Sequence, residues 1–218
     1  MFLRGVGDLA QIIPDLTEDE KKTHDYGSYT AEHYYDDMGR ITQYRTDPDL
    51  CEFLISRSFE TIVWMRKKGV KFQASYGRQS YKIDNGTRYK FWGGLAAESW
   101  GGGAGMVDNE HKACAREGIK IFYETPAQSL VTSDDGTVLG VRAKHQGRNV
   151  EIRSKTVILA CGGFESSAEM RARYLGPGWD LAKVRGTRYN TGQGIRMALD
   201  IGAMPYGHWS GCQAVGWD

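Results

Sequence analysis

The sequence is short of the features that mark several large classes of protein. Its four cysteines are far apart and form no Cys-x-x-Cys pair, which argues against a disulfide scaffold and a cysteine-based zinc site. No apolar run approaches the roughly 18 residues of a membrane span, and the opening residues lack the pattern of a signal peptide. The 28 Lys and Arg nearly balance the 27 Asp and Glu, which argues against a general nucleic-acid binder. We therefore expect a cytoplasmic protein without a nucleic-acid partner.

Two common kinds of catalytic arrangement are also missing. The sequence shows no Ser-His-Asp or His-Glu-x-x-His pattern, so hydrolase chemistry has no support and no metal site is predicted. His208 is the one histidine in a loop rich in glycine and aromatic residues, and the other four lie in polar contexts typical of the surface. The residues alone therefore assign no catalytic group.

What the sequence has in excess is glycine. The 28 glycines make up about 13% of the 218 residues, against roughly 7% in average proteins, and they follow no collagen-like period. Such abundance indicates a backbone that closely approaches a ligand or another part of the chain.

The first half of the chain has mainly helical patterns. Asp47 and Pro48 form a favourable N-cap and first-turn pair, and the apolar spacing after them predicts a helix over 48–68. A weaker amphipathic pattern predicts another helix over 30–45. Residues 75–105 are rich in Gly, Tyr and Trp without a clear period, which predicts a long functional loop.

The second half alternates helical and strand patterns. Asp134-Asp135-Gly136 and Gln146-Gly147-Arg148 separate three β-prone runs, which predicts an antiparallel meander. The run at 156–160 is continuous and β-branched, so we expect a strand covered on both faces. The predicted elements are a helix at 106–117, a strand at 119–123, meander strands at 127–132, 137–144 and 149–153, a helix at 167–175 capped by Ser166, and a helix at 192–203.

Three glycine motifs are candidate ligand contacts, and each has a structural alternative. The run 101–105 precedes a helix whose amides could cradle a phosphate, but it lacks a dinucleotide fingerprint, so a tight turn is favoured. Gly162 and Gly163 end the predicted buried strand, where a flat ligand and a plain turn are equally supported. Gly192 and Gly194 begin the last helix, where glycines that only mark the start of the helix are favoured over an anion site.

Basic residues cluster between Lys183 and Arg196. A solvated charged face is the usual explanation. The alternative is carboxylate recognition, for which a guanidinium supplies paired donors. Arg185 and Arg188 are then the candidates, because they lie in the segment that leads to the Gly-x-Gly turn.

The order of these elements resembles the flavoprotein family of fumarate reductase and succinate dehydrogenase. The strings that carry the resemblance are GIKIFYETPAQSLVTSDDGTVLGV, TVILACGGFESSAEM and NTGQGIRMALDIGA, within residues 100–205. Within the family, RTDPDL, RSFETIVWMRKKGVKF, YLGPGWDLAKVRGTRYNTG and HWSGCQAVGWD look most like the tricarballylate dehydrogenases. The implied fold class is mixed α/β: an incomplete Rossmann-like FAD-binding domain with an antiparallel β-meander, helical segments and the start of a capping or substrate domain.

The resemblance implies FAD as the cofactor and a set of residues beside it. The residues implied to contact FAD are Ala127, Gln128, Ala160, Cys161, Gly162, Gly163, Gln193 and Gly194. The first two would contact the adenine, the next four match the family's Ala-Thr-Gly-Gly, and the last two fall in a Gly-Asp-Gly motif in which glutamine replaces the acid. One FAD can span the 160–163 and 191–194 turns only if both lie on the same face of the molecule.

The resemblance also implies a substrate and an activity. The family's substrate histidine falls near the end of the chain, where His208 and Gln213 stand, and Arg185 and Arg188 are the expected carboxylate contacts. The expected reaction removes a hydride and a proton from adjacent carbons of a di- or tricarboxylate, tricarballylate in particular, and forms a carbon–carbon double bond. A membrane-bound or soluble electron acceptor would complete the turnover.

The resemblance further predicts three parts of the chain. Residues 1–99 are expected to be a helical and loop segment, 100–164 part of the FAD-binding domain, and 165–218 the start of a substrate or capping region with a return to the FAD-binding domain. Family members have a GxGxxG unit before this region and a further part after it, so we expect the middle of a flavoenzyme, for which a complementary chain could supply the rest. The alternatives are a flavin reductase or ketosteroid-type dehydrogenase of the same fold, and an inactive remnant that serves as a binding module.

Overall fold

The computed structural model describes residues 3–212, and the chain divides into two compact units between Lys120 and Ile121. Within the described part of the chain, none of the helices has both the length and the apolar character of a membrane span. The three-part division predicted from the sequence concerns roles rather than compactness and stays a prediction.

Caps and stop signals set the limits of the helices in the first unit. The Asp47 side chain caps the first turn of a long helix, Pro48 begins it, and Gly69, at a φ of 109°, ends it. Thr17 and Glu20 form a capping box at the start of a shorter helix, Glu18–Thr23. The helices are α1 (Val6–Ile12), α2 (Glu18–Thr23), α3 (Ala31–Thr42), α4 (Pro48–Lys68) and α5 (Gly102–Arg116).

Two antiparallel strand pairs complete the first unit. The strands are β1 (Phe72–Ala74), β2 (Ser80–Ile83), β3 (Arg88–Phe91) and β4 (Ala97–Ser99), and β1 pairs with β4 while β2 pairs with β3. The core of the unit is apolar, with Leu3, Leu9 and Ile12 at most 1% exposed. The prediction of one long loop over 75–105 was wrong, because strands of three or four residues are too short to show a periodic pattern.

The second unit is built on the predicted meander. Its strands β5 (Ala127–Thr132), β6 (Val138–His145) and β7 (Arg148–Arg153) form one antiparallel sheet in sequence order, which confirms the prediction. Gln146 and Gly147 both have positive φ, as a tight two-residue hairpin requires. Gly140 is needed in the middle strand, since a Cβ there would overlap the Ile152 carbonyl.

Two predicted strands are not formed. Residues 119–123 and 156–160 have no strand structure, and no strand among the described residues pairs with either. Ile158 is 85% exposed and Phe122 is 53% exposed, so neither segment is covered. The apolar, β-branched composition was correctly recognised, but a strand also needs a neighbour for its backbone hydrogen bonds.

Two short helices follow the meander, α6 (Ala168–Leu175) and α7 (Gln193–Asp200). The side chain of Ser167, not Ser166 as predicted, caps α6 by accepting a hydrogen bond from the Met170 amide at 3.3 Å. The predicted helix over 192–203 is shorter than expected, because Gly192 is a left-handed cap and Asp200 is its last residue.

Candidate functional site

The turn after residue 160 and the turn before α7 lie against each other. The Gly192 amide donates a hydrogen bond to the Gly163 carbonyl oxygen at 2.9 Å. A Cβ on Gly194 would lie 3.0 Å from the Cys161 Cβ, which is tighter than ordinary side-chain packing. The two turns therefore lie on the same face of the second unit, as an FAD that spans them would require.

The glycines of these turns are needed for that close approach. Gly162 has a φ of 73°, and a Cβ on it would lie 2.7 Å from Asn190 Oδ1. Gly192 has a φ of 75°, and a Cβ on it would overlap Met170 Sδ. The backbone conformation and the close neighbours therefore account for glycine at 162 and 192 without a ligand, and the choice at 162–163 between a ligand contact and a plain turn stays open.

A cleft of about 440 Å³ lies between the start of β5 and one side of α7. Its volume is within the range of small-molecule sites, roughly 300–1,000 Å³. It brings together three residues that the sequence assigned to the cofactor, Ala127, Gln128 and Gln193. Arg196 also lines the cleft and donates to the Thr191 carbonyl oxygen at 3.0 Å, which ties α7 to the preceding turn.

A second cavity, of about 620 Å³, begins at Gly163 and carries an excess of positive charge. Its charged lining residues are Arg171, Lys183, Arg185 and Glu165. The Glu165 carboxylate accepts a hydrogen bond from the Asn190 amide, so it is already engaged within the protein. Three cations against one carboxylate make this cavity suited to an anionic ligand.

Arg171 is the site residue that sequence reasoning missed. Arg171 is only 7% exposed, and its guanidinium donates to the backbone carbonyls of Glu165, Trp179, Asp180 and Ala182. The sequence carries no signal for this role, because the partners of Arg171 are backbone carbonyls, which every residue has.

The other predicted substrate residues have different surroundings. His208 lines a third cavity, of about 330 Å³, which shares Phe164 and Ile195 with the second. Arg188 lies with its guanidinium carbon 5.0 Å from the centre of the Tyr189 ring and donates to the Tyr189 hydroxyl at 2.8 Å. That hydrogen bond raises the pKa of Arg188 above its usual value. Gln213 lies outside the described residues.

The glycine run 101–105 has a structural explanation in the first unit. Gly102 to Gly105 form the first turn of α5 rather than a loop before it. A Cβ on Gly105 would overlap the Trp100 carbonyl oxygen. The helix predicted at 106–117 thus begins four residues earlier, inside the glycine run, and the close approach of Trp100 accounts for glycine at position 105 without a ligand.

Comparison with known proteins identifies the chain. Residues 19–209 match the protein family described as "FAD binding domain". The chain belongs to this FAD binding domain family. The prediction of FAD as the cofactor is thereby confirmed, and the two adjoining turns with the cleft beside them fit such a cofactor.

The relatives of this FAD binding domain chain include reductases and dehydrogenases. It is 28% identical over 175 residues to a protein of Shewanella frigidimarina named "Probable fumarate reductase Ifc3", an alignment that covers 79% of this chain and 28% of that protein. It is 36% identical over 94 residues to 3-oxosteroid 1-dehydrogenase of Mycobacterium tuberculosis, covering 40% of this chain and 16% of that protein. The resemblance to the fumarate reductase family is confirmed.

The fold also matches a solved relative. The open conformation of a flavocytochrome c3 fumarate reductase superposes with a TM-score of 0.64 at 24% identity, covering 80% of this chain and 30% of that one. The prediction of a mixed helix and sheet fold from an FAD-binding domain is therefore confirmed. The chain spans less than a third of the length of each of these relatives.

Proposed function

We propose that this chain is the part of an FAD-dependent oxidoreductase that binds a polycarboxylate next to the flavin. The proposed reaction is oxidation of a carbon–carbon single bond to a double bond, with tricarballylate as the substrate. The observation that carries the proposal is the contact between the 160–163 and 191–194 turns, of which Gln193 lines the cleft and Gly163 lines the positively charged cavity.

The residues proposed to hold FAD are those of the two turns and the cleft. Ala127 and Gln128 would contact the adenine, and Gln193 would hydrogen-bond the cofactor with its side-chain amide. The backbones of 160–163 and Gly194 would lie along it. When bound, FAD supplies an acceptor for the hydride that leaves the substrate.

The substrate contacts are proposed in the positively charged cavity. Arg185 lines it and can bind a carboxylate with two parallel hydrogen bonds. Arg188 is not among the residues that line this cavity, so the geometry favours Arg185 of the two predicted arginines. His208, in the adjoining cavity, is proposed to contact the far end of the substrate.

The experiment is to titrate the purified chain with FAD and to follow flavin absorbance and fluorescence. Ala127→Trp should fill the cleft and abolish binding. Thr132→Trp, at the other end of β5, is the matched control and should bind FAD as the natural chain does. A natural chain that stays colourless and leaves the FAD signal unchanged would support the alternative of an inactive remnant.

A second candidate is an oxidoreductase of the same fold with an apolar, steroid-like substrate. It is favoured by the apolar wall of the second cavity, which includes Phe164, Trp179 and Ile195, and by the similarity to 3-oxosteroid 1-dehydrogenase. The salt dependence of binding distinguishes the two candidates. The affinity for tricarballylate should fall as salt is added, whereas the affinity for a steroid should be insensitive to salt.

The partners and the location are part of the proposal. We propose a membrane-bound or soluble electron acceptor, together with a complementary polypeptide segment. The four cysteines, Cys51, Cys114, Cys161 and Cys212, are free, which supports a reducing, cytoplasmic location. Thiol alkylation before lysis, followed by mass spectrometry of the endogenous protein, would test that location.

A further inference from the structure

Arg171 is a buried cation whose partners are all backbone groups. Its Nε donates to the Trp179 carbonyl at 2.8 Å, and its Nη2 donates to those of Asp180 and Ala182 at 3.2 and 2.9 Å. Its Nη1 donates to the Glu165 carbonyl at 2.5 Å. Among the described residues, no carboxylate forms an ion pair with it. The carbonyl dipoles replace the water that burial removes, but they do not cancel the positive charge.

Three of the four acceptors lie in one stretch of chain, 179–182. That stretch contains a single turn of 3₁₀ helix, Trp179–Leu181, and runs directly into Lys183 and Arg185. A planar guanidinium can donate to all of these carbonyls simultaneously because its N–H groups point in fixed, different directions. A lysine ammonium has its donors on one nitrogen and cannot span the same set of carbonyls. Arg171 therefore sets the path of the segment that carries the two cations.

Lys183, Arg185 and Arg171 line the same cavity. The same cavity also has apolar lining residues, among them Phe164 and Ile195. Two cations separated along one segment, in a cavity that is otherwise partly apolar, are complementary to a ligand with two or more carboxylates on a short carbon chain. A ligand with one carboxylate would use only one of them.

We propose that Arg171 is a positioning residue, which places Lys183 and Arg185 so that each binds a different carboxylate of the substrate. This assignment rests on the proposed function and adds two residues to it. Lys183 becomes a second carboxylate contact beside Arg185. Arg171 acts through both of them and sets the preference for polycarboxylates over monocarboxylates.

The test is calorimetric titration of the full chain with tricarballylate and with propanoate. Arg171→Lys should weaken tricarballylate binding about tenfold, the effect of one lost charged contact, while propanoate binding changes by less than about twofold. Arg173→Lys is the matched control on the same helix. Its side chain is 64% exposed and pairs with Glu169 at 2.7 Å, so both affinities should stay unchanged.

A double-mutant cycle separates positioning from a general structural role. If Arg171 acts through Lys183 and Arg185, then Arg171→Lys should cost no further affinity in a chain that already carries Lys183→Met and Arg185→Met. A merely structural role would cost the same factor in both backgrounds and would overturn the inference. Should Arg171→Lys not fold, the single variants decide: if neither Lys183→Met nor Arg185→Met lowers the preference for tricarballylate over propanoate, the inference is overturned.

FAD titration of the same samples distinguishes this inference from the proposed function. A chain that binds FAD, but binds tricarballylate no better than propanoate, overturns the inference and leaves the flavoprotein assignment standing. A chain that binds neither FAD nor tricarballylate overturns both.

Discussion

The amide of Gly192 donates a hydrogen bond of 2.9 Å to the carbonyl oxygen of Gly163. This bond joins two turns that are about 30 residues apart in the sequence. The two backbone segments therefore lie side by side at the site that we propose for the flavin. The site therefore depends on packing that leaves no room for a side chain at Gly192.

The first prediction concerns that packing. Gly192→Ala should destabilise the second unit by about 2–3 kcal/mol, because it combines a left-handed conformation with overlap on the buried Met170 side chain. Gly202→Ala has a similar positive φ of 91° but meets nothing within 4 Å, so it should cost only about 1 kcal/mol. Thermal unfolding followed by circular dichroism measures both, and equal losses would show that the contact with Met170 is unimportant.

The second prediction separates two glycines on the first turn of α5. Gly103→Ala should raise stability by about 0.5 kcal/mol, since a Cβ there meets nothing within 4 Å and alanine restricts the unfolded chain. Gly105→Ala should lower stability by about 2 kcal/mol, because its Cβ would overlap the Trp100 carbonyl. Chemical denaturation gives both values. If Gly105→Ala were neutral, the glycine run would need an explanation other than packing.

The sequence predicted local structure well wherever the signal was local. The meander was found from its turn residues, and α4 was found from Asp47 and Pro48 at its start and Gly69 at its end. The segment at 156–160 was wrongly predicted to be a strand, because its strand-like composition says nothing about whether a neighbouring strand is present. Pairing partners are a property of the fold and not of the segment.

The roles of the predicted site residues stay predictions, but the structure brings several of these residues together. Ala127, Gln128 and Gln193 share one cleft, and Arg185 lines the charged cavity. Arg171 could not be identified because its partners are backbone carbonyls, which every residue has and no sequence pattern marks.

The third prediction is a pH dependence of stability in the first unit. The buried Asp8 carboxylate accepts two hydrogen bonds of 2.9 Å from the Arg4 guanidinium, and these hold the pKa of Asp8 below its usual value. A depressed pKa stabilises the folded state above the unfolded pKa of about 3.9, and the contribution is lost as the pH falls through the folded value. Asp8→Asn should therefore lower the free energy of unfolding by about 1 kcal/mol at neutral pH. It should lower it by almost nothing at a pH below the pKa of Asp8 in the folded state.

The matched control for that pH dependence is Asp36→Asn on the exposed side of α3. Its effect on the free energy of unfolding should be small at every pH, because exposed carboxylates gain little from their surroundings. Denaturation curves at several pH values between neutrality and the acid limit give the comparison. A constant difference between Asp8→Asn and the natural chain would mean that the Arg4 pair does not depend on the charge of Asp8.

The fourth prediction concerns the glutamine that stands where the resembling family has an acid. Gln193 lines the cleft together with Ala127 and Gln128, and its side-chain amide can both donate and accept a hydrogen bond. Gln193→Leu has nearly the same size but neither function. FAD affinity should therefore fall about tenfold, the cost of leaving one polar partner without its hydrogen bond.

Two further variants determine what Gln193 contributes. Gln193→Asp should retain an acceptor and bind FAD better than Gln193→Leu if Gln193 accepts a hydrogen bond from the cofactor. If Gln193 instead donates, Gln193→Asp should bind FAD no better than Gln193→Leu, because a carboxylate has no proton to offer. Gln11→Leu, an exposed position on α1, controls for the added apolar surface, and its FAD affinity should equal that of the natural chain. Equal FAD affinity in all four proteins would remove Gln193 from the cofactor site and leave the backbone of the two turns as its main support.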